Sequence, residues 1–203
     1  YCIIPKIRGR FRSVPMQELL NEAKRLASEG VKELVLVAQE TTLYGKDLTG
    51  EKQLPLLLHE LCKIEGIEWI RLLYCYPEEI TDELIKVIKT EEKVCNYIDM
   101  PIQHSENRIL QRMGRRTSRE DLVAVIKKLR KEIPDITIRT TLITGFPGES
   151  QEDHEGLMNF VEECQFDRLG VFTYSPEEDT LAATFEDQID EEVKEERRDE
   201  LMS

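Results

Sequence analysis

Apolar residues recur along the chain in alternating helical and strand-like patterns. A helical stripe covers residues 16–27, and Gly30 follows its end. Ser13 and Pro15 precede the stripe, which predicts a hydroxyl cap at the start of this helix. The apolar run at residues 33–38 comes next and is typical of a strand buried on both faces of a parallel sheet.

The same alternation continues to the end of the chain. Further strands are predicted at residues 69–74, 97–100, 136–143 and 168–174. Helical patterns separate them and end in a charged helix at about residues 190–202. N-caps are predicted at Thr81, Ser118 and Ser150, the last forming a capping box with Asp153.

Strands that alternate with helices predict a parallel sheet with helices outside, which right-handed crossovers curl into a barrel. Because the visible pattern opens on a helix, we expect an earlier strand before residue 1. The predicted fold class is therefore α/β, a partial (β/α)6 TIM-like barrel that lacks its first strand. Residues 1–186 form its core, and the helix in residues 187–203 has only Val193 and Leu201 to bury.

Polar residues follow several predicted strands, where ligands bind in folds of this kind. Gln39 and Glu40 follow the first strand, Gln103 and His104 follow the third, and Tyr174 ends the fifth. We expect these side chains to converge on one opening. For His104, a cavity wall, a helix cap and a ligand contact are all compatible with its position.

The glycine turn, residues 145–148, links the fourth strand to a capped helix. Glycine permits close approach of a ligand to the backbone, and a helix N-terminus favours anions. The turn matches neither the dinucleotide fingerprint nor the P-loop, so a structural turn and a ligand contact are both open. Arg139, inside a strand pattern, needs either an acid or a cofactor carboxylate as its partner.

Composition restricts the class of protein. The chain has 203 residues, enough for one sizeable core, and no apolar run approaches the ~18 residues of a membrane span. Five scattered cysteines predict a reducing, cytoplasmic environment rather than a disulfide framework. They are Cys2, Cys62, Cys75, Cys95 and Cys164.

Charge is unevenly distributed. The net charge is −13, yet residues 1–12 carry +4, so the other residues together carry −17. An acidic body repels nucleic-acid phosphates and attracts a basic protein, or it only maintains solubility. A second basic cluster, Arg112, Arg115, Arg116 and Arg119, is either a solvated helix break or a contact for ribosomal RNA.

Several stretches resemble the radical S-adenosylmethionine (SAM) methylthiotransferases. Tyr1-Cys2 and the following Ile-Ile-Pro resemble the end of the family's C-x3-C-x2-C motif. Residues 37–41 resemble the family's strand-end motif that receives the cofactor's amino group. Residues 141–149 resemble its adenine-side strand, and residues 172–176 resemble its closing strand. Asp99 to His104 resembles the RimO-type branch, which modifies a ribosomal protein.

The resemblance implies a [4Fe–4S] cluster, two of them in a full-length enzyme, and S-adenosylmethionine. Cys2 would be the third cluster thiolate, and Gln39 and Glu40 would receive the cofactor's amino group. The other implied cofactor-binding residues are Gln103, Arg139, Thr141, Ile143, Gly145, Phe172 and Tyr174. The implied reaction adds a methylthio group to the β-carbon of an aspartate in the decoding-centre protein of the small ribosomal subunit. A reductant such as flavodoxin or ferredoxin would be a further partner.

The chain departs from this family in what it lacks. The first two motif cysteines would lie before residue 1, and we expect the family's N-terminal domain and C-terminal TRAM domain to lie outside these 203 residues. We therefore expect residues 187–203 to lead toward a TRAM domain, and these 203 residues alone to be inactive. Nucleic acid would be contacted only through the missing domain or the ribosome. A MiaB-type tRNA methylthiotransferase and a cluster-less binding scaffold remain alternatives.

Overall fold

The computed structural model describes all 203 residues, and none of its helices is long and apolar enough to cross a membrane. The strands are β1 (Glu33–Leu36), β2 (Trp69–Leu72), β3 (Val94–Asp99), β4 (Thr137–Thr144) and β5 (Arg168–Thr173). The helices are α1 (Ile4–Arg8), α2 (Met16–Ser28), α3 (Lys46–Thr49), α4 (Leu54–Cys62), α5 (Asp82–Thr90), α6 (Asn107–Arg112), α7 (Arg119–Glu132), α8 (Gln151–Cys164) and α9 (Glu191–Met202).

The five strands form one sheet whose spatial order follows the chain, β1-β2-β3-β4-β5. β1 and β2 pair in parallel from Glu33 opposite Trp69, and β4 and β5 pair in parallel from Arg139 opposite Arg168. Chain-ordered parallel strands are what successive right-handed βα units produce. The predicted α/β class is confirmed, and the sheet is consistent with a partial TIM-like barrel.

The chain divides into two compact units. Unit 1 comprises Tyr1–Arg10, Pro101–Ile126 and Arg139–Ser203, and unit 2 comprises Phe11–Met100 and Lys127–Ile138. The predicted division of the chain at residue 186 stays a prediction.

The apolar core of unit 2 contains one face of β1 and β2. Leu34, Ile70 and Leu72 are buried, whereas Val35 and Val37 are 46% and 61% exposed. Successive strand side chains point to opposite faces, so only one face of β1 is in the core. The prediction of a strand buried on both faces was therefore wrong: β1 is covered on the Leu34 face alone.

Three of the four predicted N-caps are confirmed. Thr81 accepts a hydrogen bond from Leu84 N, Ser118 accepts one from Asp121 N, and Ser150 forms the capping box with Asp153. The cap at Ser13 was wrong. α2 has Pro15 at its N-cap without a side-chain cap, and the Ser13 hydroxyl instead accepts from Gly45 N at 2.9 Å.

Unit 1 buries an aromatic cluster and two cations of α9. Phe146 is fully buried among Tyr1, Tyr174 and Phe185. Lys194 and Arg197 are only 2% and 8% exposed. The prediction that α9 has only Val193 and Leu201 to bury was wrong, because both cations find polar partners inside the unit.

Candidate functional site

Unit 1 contains a pocket of about 320 Å3 at the carboxyl ends of β4 and β5. This volume lies in the lower part of the range of roughly 300–1,000 Å3 for small-molecule sites. The lining residues are Tyr1, Cys2, Ile3, Gln103, Thr141, Ile143, Phe172, Thr173, Tyr174, Ser175 and Glu177. Six of the ten predicted site residues are among them: Cys2, Gln103, Thr141, Ile143, Phe172 and Tyr174.

One wall of the pocket is formed by paired residues of β4 and β5. Ile143 lies opposite Phe172 in the strand register, and Thr141 lies opposite Gly170. The Phe172 side chain is 61% exposed, an unusual state for a large apolar side chain beside a pocket. Gly170 leaves the space beside Thr141 free, since only the Phe172 ring would come within 4 Å of an added Cβ. The wall thus offers an apolar surface next to a hydroxyl, which suits a flat ring with polar edges.

Gln103 is held against this wall through its backbone. Its N–H donates to Thr141 O at 2.9 Å, and its carbonyl accepts from Ile143 N at 2.7 Å. Gln103 has a φ of 72°, a left-handed conformation that costs a non-glycine residue about 1 kcal/mol or more. Backbone strain of this kind is concentrated at ligand sites, and the two bonds to β4 stabilise it.

Tyr1 fixes the segment that carries Cys2. Its ring packs edge-on against Phe146 with centroids 6.1 Å apart, and Phe146 also contacts Tyr174 at 5.1 Å. Phe146 belongs to the glycine turn, so this turn anchors both the Cys2 segment and the end of β5. The Cys2 thiol itself is exposed.

Cys2 is the one thiol that lines the pocket, and no group of three or more His, Cys, Asp or Glu side chains in the structure could hold a metal. A [4Fe–4S] cluster that leaves one iron open needs three thiolates. Cys2 alone does not provide three thiolates, and its predicted role as one of the cluster ligands stays a prediction.

Gly145 lies outside the pocket lining. Its φ is 69°, and a Cβ added to it would lie 2.3 Å from Lys194 Cγ. The side chain of Lys194 therefore leaves no space for a side chain at position 145. This favours the interpretation of residues 145–148 as a structural turn. The predicted contact of Gly145 with a cofactor stays a prediction.

Lys194 connects α9 to the pocket. Its Nζ donates to Tyr174 O at 3.0 Å and to Glu191 Oε1 at 2.6 Å, and it lies 5.4 Å from the Tyr174 ring centroid. Tyr174 N donates in turn to Thr144 O at 2.9 Å. The backbone of this pocket residue is thus fixed on both sides. No local pattern in α9 distinguishes Lys194 from the exposed charges around it.

Glu149, directly after the glycine turn, is a buried carboxylate with several donors around it. Gly145 N donates at 2.9 Å, Arg197 Nη1 at 2.8 Å and His104 Nε2 at 3.2 Å. Burial acts to raise the pKa of Glu149, but the hydrogen bonds and the charge of Arg197 outweigh it, so the pKa is lowered. No pattern in the sequence indicates this network beyond the position of Glu149 after the turn.

His104 is part of the Glu149 network. It is fully buried, and its Nδ1 accepts from Glu106 N at 3.0 Å. Because Nδ1 accepts, Nε2 carries the proton and donates to Glu149. His104 is not among the residues that line the pocket, and α6 has no side-chain cap hydrogen bond at its N-cap residue Glu106. The structure therefore places His104 in a buried hydrogen-bond network, and its roles as a helix cap or a ligand contact stay predictions.

Gln39 and Glu40 lie in unit 2. Gln39 is exposed, whereas Glu40 is only 6% exposed and its Oε1 accepts from Thr42 N at 2.9 Å. The other oxygen, Oε2, is buried without a hydrogen-bond partner. Desolvation by burial raises the pKa of Glu40 to about 7. An orphaned carboxylate oxygen of this kind is an acceptor available to an incoming ammonium group.

Arg139 lies on the same face of β4 as Thr141 and Ile143, as the alternating burial of that strand shows. It is half-buried and is not among the residues that line the pocket. Its predicted role toward a cofactor carboxylate stays a prediction.

Three arginines of the second basic cluster form contacts within unit 1. Arg112 pairs with Asp187 at 2.7 Å, Arg119 pairs with Glu106 at 2.5 Å, and Arg115 donates to Pro101 O. Arg116 is exposed. The helix break is confirmed, because α6 ends at Arg112 and α7 begins at Arg119. It is only partly solvated, since three of the four arginines are half-buried in contacts within unit 1.

Comparison with known proteins decides the family. The family model described as "Radical SAM superfamily" matches residues 1–161. The chain belongs to the radical SAM superfamily. Its members use an iron–sulfur cluster with S-adenosylmethionine, so the expected class of cofactors follows from membership.

Curated relatives match this radical SAM chain over its whole length. It is 66% identical over 202 residues to the ribosomal protein uS12 methylthiotransferase RimO of Lachnoclostridium phytofermentans, covering 100% of this chain and 46% of the relative. It is 60% identical to the protein of the same name from Clostridium perfringens, covering 100% of this chain and 45% of the relative. The chain thus spans about half the length of these relatives. The RimO-type resemblance seen in the motifs extends over the entire chain.

Solved structures support the fold. The Escherichia coli radical SAM enzyme coproporphyrinogen III oxidase HemN superposes with a TM-score of 0.67 at 18% identity, covering 92% of this chain and 44% of that one. The methyltransferase TsrM from Kitasatospora setae, solved with cobalamin and a [4Fe–4S] cluster bound, gives a TM-score of 0.63 at 17% identity, covering 78% and 31%. At these identities the likeness concerns the fold alone.

Proposed function

We propose that this chain is the radical SAM core of a methylthiotransferase that modifies ribosomal protein uS12. The observation that carries the proposal is the 66% and 60% identity, over the whole chain, to relatives named for that activity. The proposed target atom is the β-carbon of an aspartate. The full enzyme would carry two [4Fe–4S] clusters and receive electrons from a reductant such as flavodoxin or ferredoxin.

In this proposal, different residues of the chain bind different parts of the cofactor. Cys2 would contribute one of three thiolates to a cluster, and the orphaned Oε2 of Glu40 would accept from the amino group of S-adenosylmethionine. Gln39 would assist Glu40 with the amino group, and Arg139 would pair with a cofactor carboxylate. When bound, the cluster and S-adenosylmethionine supply one-electron cleavage of the sulfonium and removal of hydrogen from the substrate carbon.

The adenosyl part would occupy the pocket beside Cys2. Ile143 and Phe172 would cover the faces of the ring and exclude water from it, since both present apolar surface to the pocket. Thr141 and the strained Gln103 backbone would meet its polar edges. Gly145 and Tyr174 would define the shape of the pocket on the side of the glycine turn.

Charge favours a protein substrate. The net charge of −13 would oppose approach to a nucleic acid and favour a basic partner such as a ribosomal protein. Nucleic acid would be contacted only through the ribosome or another domain. We place the enzyme in the cytoplasm, where ribosomes and reduced cysteines are found.

The full-length enzyme with reconstituted clusters tests this proposal. It is incubated anaerobically with S-adenosylmethionine, a reductant and either a uS12 peptide or tRNA. Mass spectrometry is expected to show one methylthio group in place of hydrogen on the peptide aspartate and none on the tRNA. Modification of tRNA instead would support a MiaB-type enzyme, and absence of both cluster absorbance and modification would support a binding scaffold.

A further inference from the structure

We propose that Lys194 is a positioning residue for the S-adenosylmethionine pocket and acts through Tyr174 and Gly145. The inference rests on the proposed function, because it assigns a residue outside the pocket to the same site. Lys194 is not among the pocket-lining residues and would touch no cofactor. The aliphatic part of its side chain instead contacts Gly145 of the glycine turn, and its ammonium group contacts Tyr174 at the end of β5.

The aliphatic part of Lys194 packs on the glycine turn. Its Cγ, Cβ and Cδ would lie 2.3, 3.0 and 3.1 Å from a Cβ added to Gly145. The bare glycine and the lysine stem therefore fit against each other without space for one further carbon. This contact sets the distance between α9 and the end of β4.

The ammonium group of Lys194 holds the end of β5. It donates to Tyr174 O at 3.0 Å, while the Tyr174 ring is 4% exposed and contacts Phe146 of the glycine turn. One side chain thus fixes the turn at one end and a pocket residue at the other. The Tyr174 carbonyl accepts this hydrogen bond in a buried environment, where a hydrogen bond to a charged group is stronger than in water.

The burial of Lys194 argues for a role beyond packing. Its side chain is 2% exposed, and its carboxylate partner Glu191 is 70% exposed. Burying an ammonium group is costly, and an apolar side chain of the same length would fill the space above Gly145 without that cost. The ammonium adds what an apolar chain lacks, directed hydrogen bonds to the Tyr174 carbonyl and to the exposed Glu191 carboxylate. Only the bond to Tyr174 reaches a residue that lines the pocket.

Other residues of the segment from Ala182 to Arg197 contact the rest of the turn. Ala182 and Phe185 pack with Phe146, Gly148 N donates to Asp187 O, and Arg197 donates to Glu149. Ala182 and Phe185 also belong to the packed cluster that contains Tyr174. Lys194 differs from them because it donates a hydrogen bond to the backbone of Tyr174, a residue that lines the pocket.

The test measures binding of S-adenosylhomocysteine, an unreactive analogue, by calorimetry to the full-length enzyme with reconstituted clusters. Lys194→Met keeps the stem and removes the ammonium group, and Lys194→Arg restores a cation. Arg198→Met is the matched control, because Arg198 is on the same helix and pairs only with exposed Asp199. We expect Lys194→Met to raise Kd about tenfold, the effect of losing one charged hydrogen bond, with Lys194→Arg within about threefold of wild type.

Equal Kd values for wild type and Lys194→Met, or an equal loss in Arg198→Met, would overturn the proposal. A second measurement needs no variant: S-adenosylhomocysteine is expected to slow amide hydrogen exchange at residues 191–197, although they do not line the pocket. Unchanged amide exchange at residues 191–197 would also overturn the proposal. Because this measurement uses the wild-type enzyme, it applies even if Lys194→Met does not fold. If the wild-type enzyme binds no analogue at all, the proposed function itself fails.

Discussion

Arg197 Nη1 lies 2.8 Å from Glu149 Oε1, in an ion pair whose side chains are 9% and 0% exposed. The pair joins α9 to the residue that follows the glycine turn, and the same arginine nitrogen also donates to Glu149 O at 3.1 Å. This contact between two residues 48 positions apart explains how one face of a helix composed almost entirely of charged residues packs against the interior of unit 1.

Arg197→Met is expected to destabilise the chain by about 3 kcal/mol. The substitution removes one member of a buried ion pair and leaves the Glu149 carboxylate partly uncompensated, which typically costs roughly 3–5 kcal/mol. Because Gly145 N and His104 Nε2 still donate to the carboxylate, we expect a loss of stability at the lower end of this range. Urea unfolding at pH 7 measures it. Arg198→Met, an exposed neighbour, is expected to stay within about 0.5 kcal/mol of wild type, and equal losses in both variants would refute the importance of the pair.

The stabilisation from Glu149 is expected to depend on pH in a defined direction. Its folded-state pKa is lowered, so the charged form is favoured by folding. The group therefore contributes stability above its unfolded pKa, near 4.5, and loses this contribution as pH falls through the lower folded-state pKa. The difference in unfolding free energy between wild type and Arg197→Met should shrink as the pH is lowered from 7 into this acidic range. A constant difference would show that the arginine acts by packing alone.

Glu40→Gln is expected to have the opposite pH dependence. Burial raises the pKa of Glu40 from 4.5 to about 7, so between these pH values the folded state holds a proton that the unfolded state has lost. Stability from this group is fully present below pH 4.5 and is lost as pH rises through 7, by about 3 kcal/mol at most. Glutamine does not titrate, so the unfolding free energy of the variant minus that of wild type should be larger at pH 8 than at pH 5. Urea unfolding at both pH values measures this difference. If the difference is the same at both, the pKa of Glu40 is not raised.

Gly145→Ala is expected to cost more than Gly114→Ala. Both glycines have positive φ, 69° and 75°, so alanine adds about 1 kcal/mol of backbone strain at each. Only at Gly145 does the new methyl group collide with another side chain, Lys194, and such overpacking adds about 1–3 kcal/mol. Gly114 has no atom within 4 Å of the added carbon. Thermal unfolding of both variants measures the difference, and equal losses would show that Lys194 moves aside freely.

The strands were predictable because their signal is local. The expected strand at residues 136–143 is shifted from β4 by one residue at each end, and the expected strand at residues 168–174 extends one residue beyond β5. In the structure, the alternating burial of β4 places Thr141 and Ile143 on a common face. Caps at Thr81, Ser118 and Ser150 depend on contacts three residues away, so they too could be inferred from sequence.

The contacts that organise the site were not predictable, since they join distant positions. Lys194 and Arg197 look like exposed charges until Tyr174 and Glu149 are placed beside them. Ser13 has the sequence of a cap, yet a tertiary contact with Gly45 takes its hydroxyl. The exposure of Val35 likewise depends on which face of the sheet is covered, which a single apolar run does not reveal.

Cofactor binding by the full-length enzyme with reconstituted clusters tests the central claim most directly, namely that the pocket beside Cys2 holds the adenosyl group. The affinity for S-adenosylhomocysteine is measured for wild type, Phe172→Ala and the control Trp69→Ala. Trp69 is an aromatic residue of β2 that is 51% exposed and lies outside this pocket. Loss of the Phe172 ring should raise Kd about tenfold or more, since a buried aromatic contact contributes about 1.5–3 kcal/mol, while Trp69→Ala should bind as wild type does. Unchanged affinity in Phe172→Ala would contradict the claim.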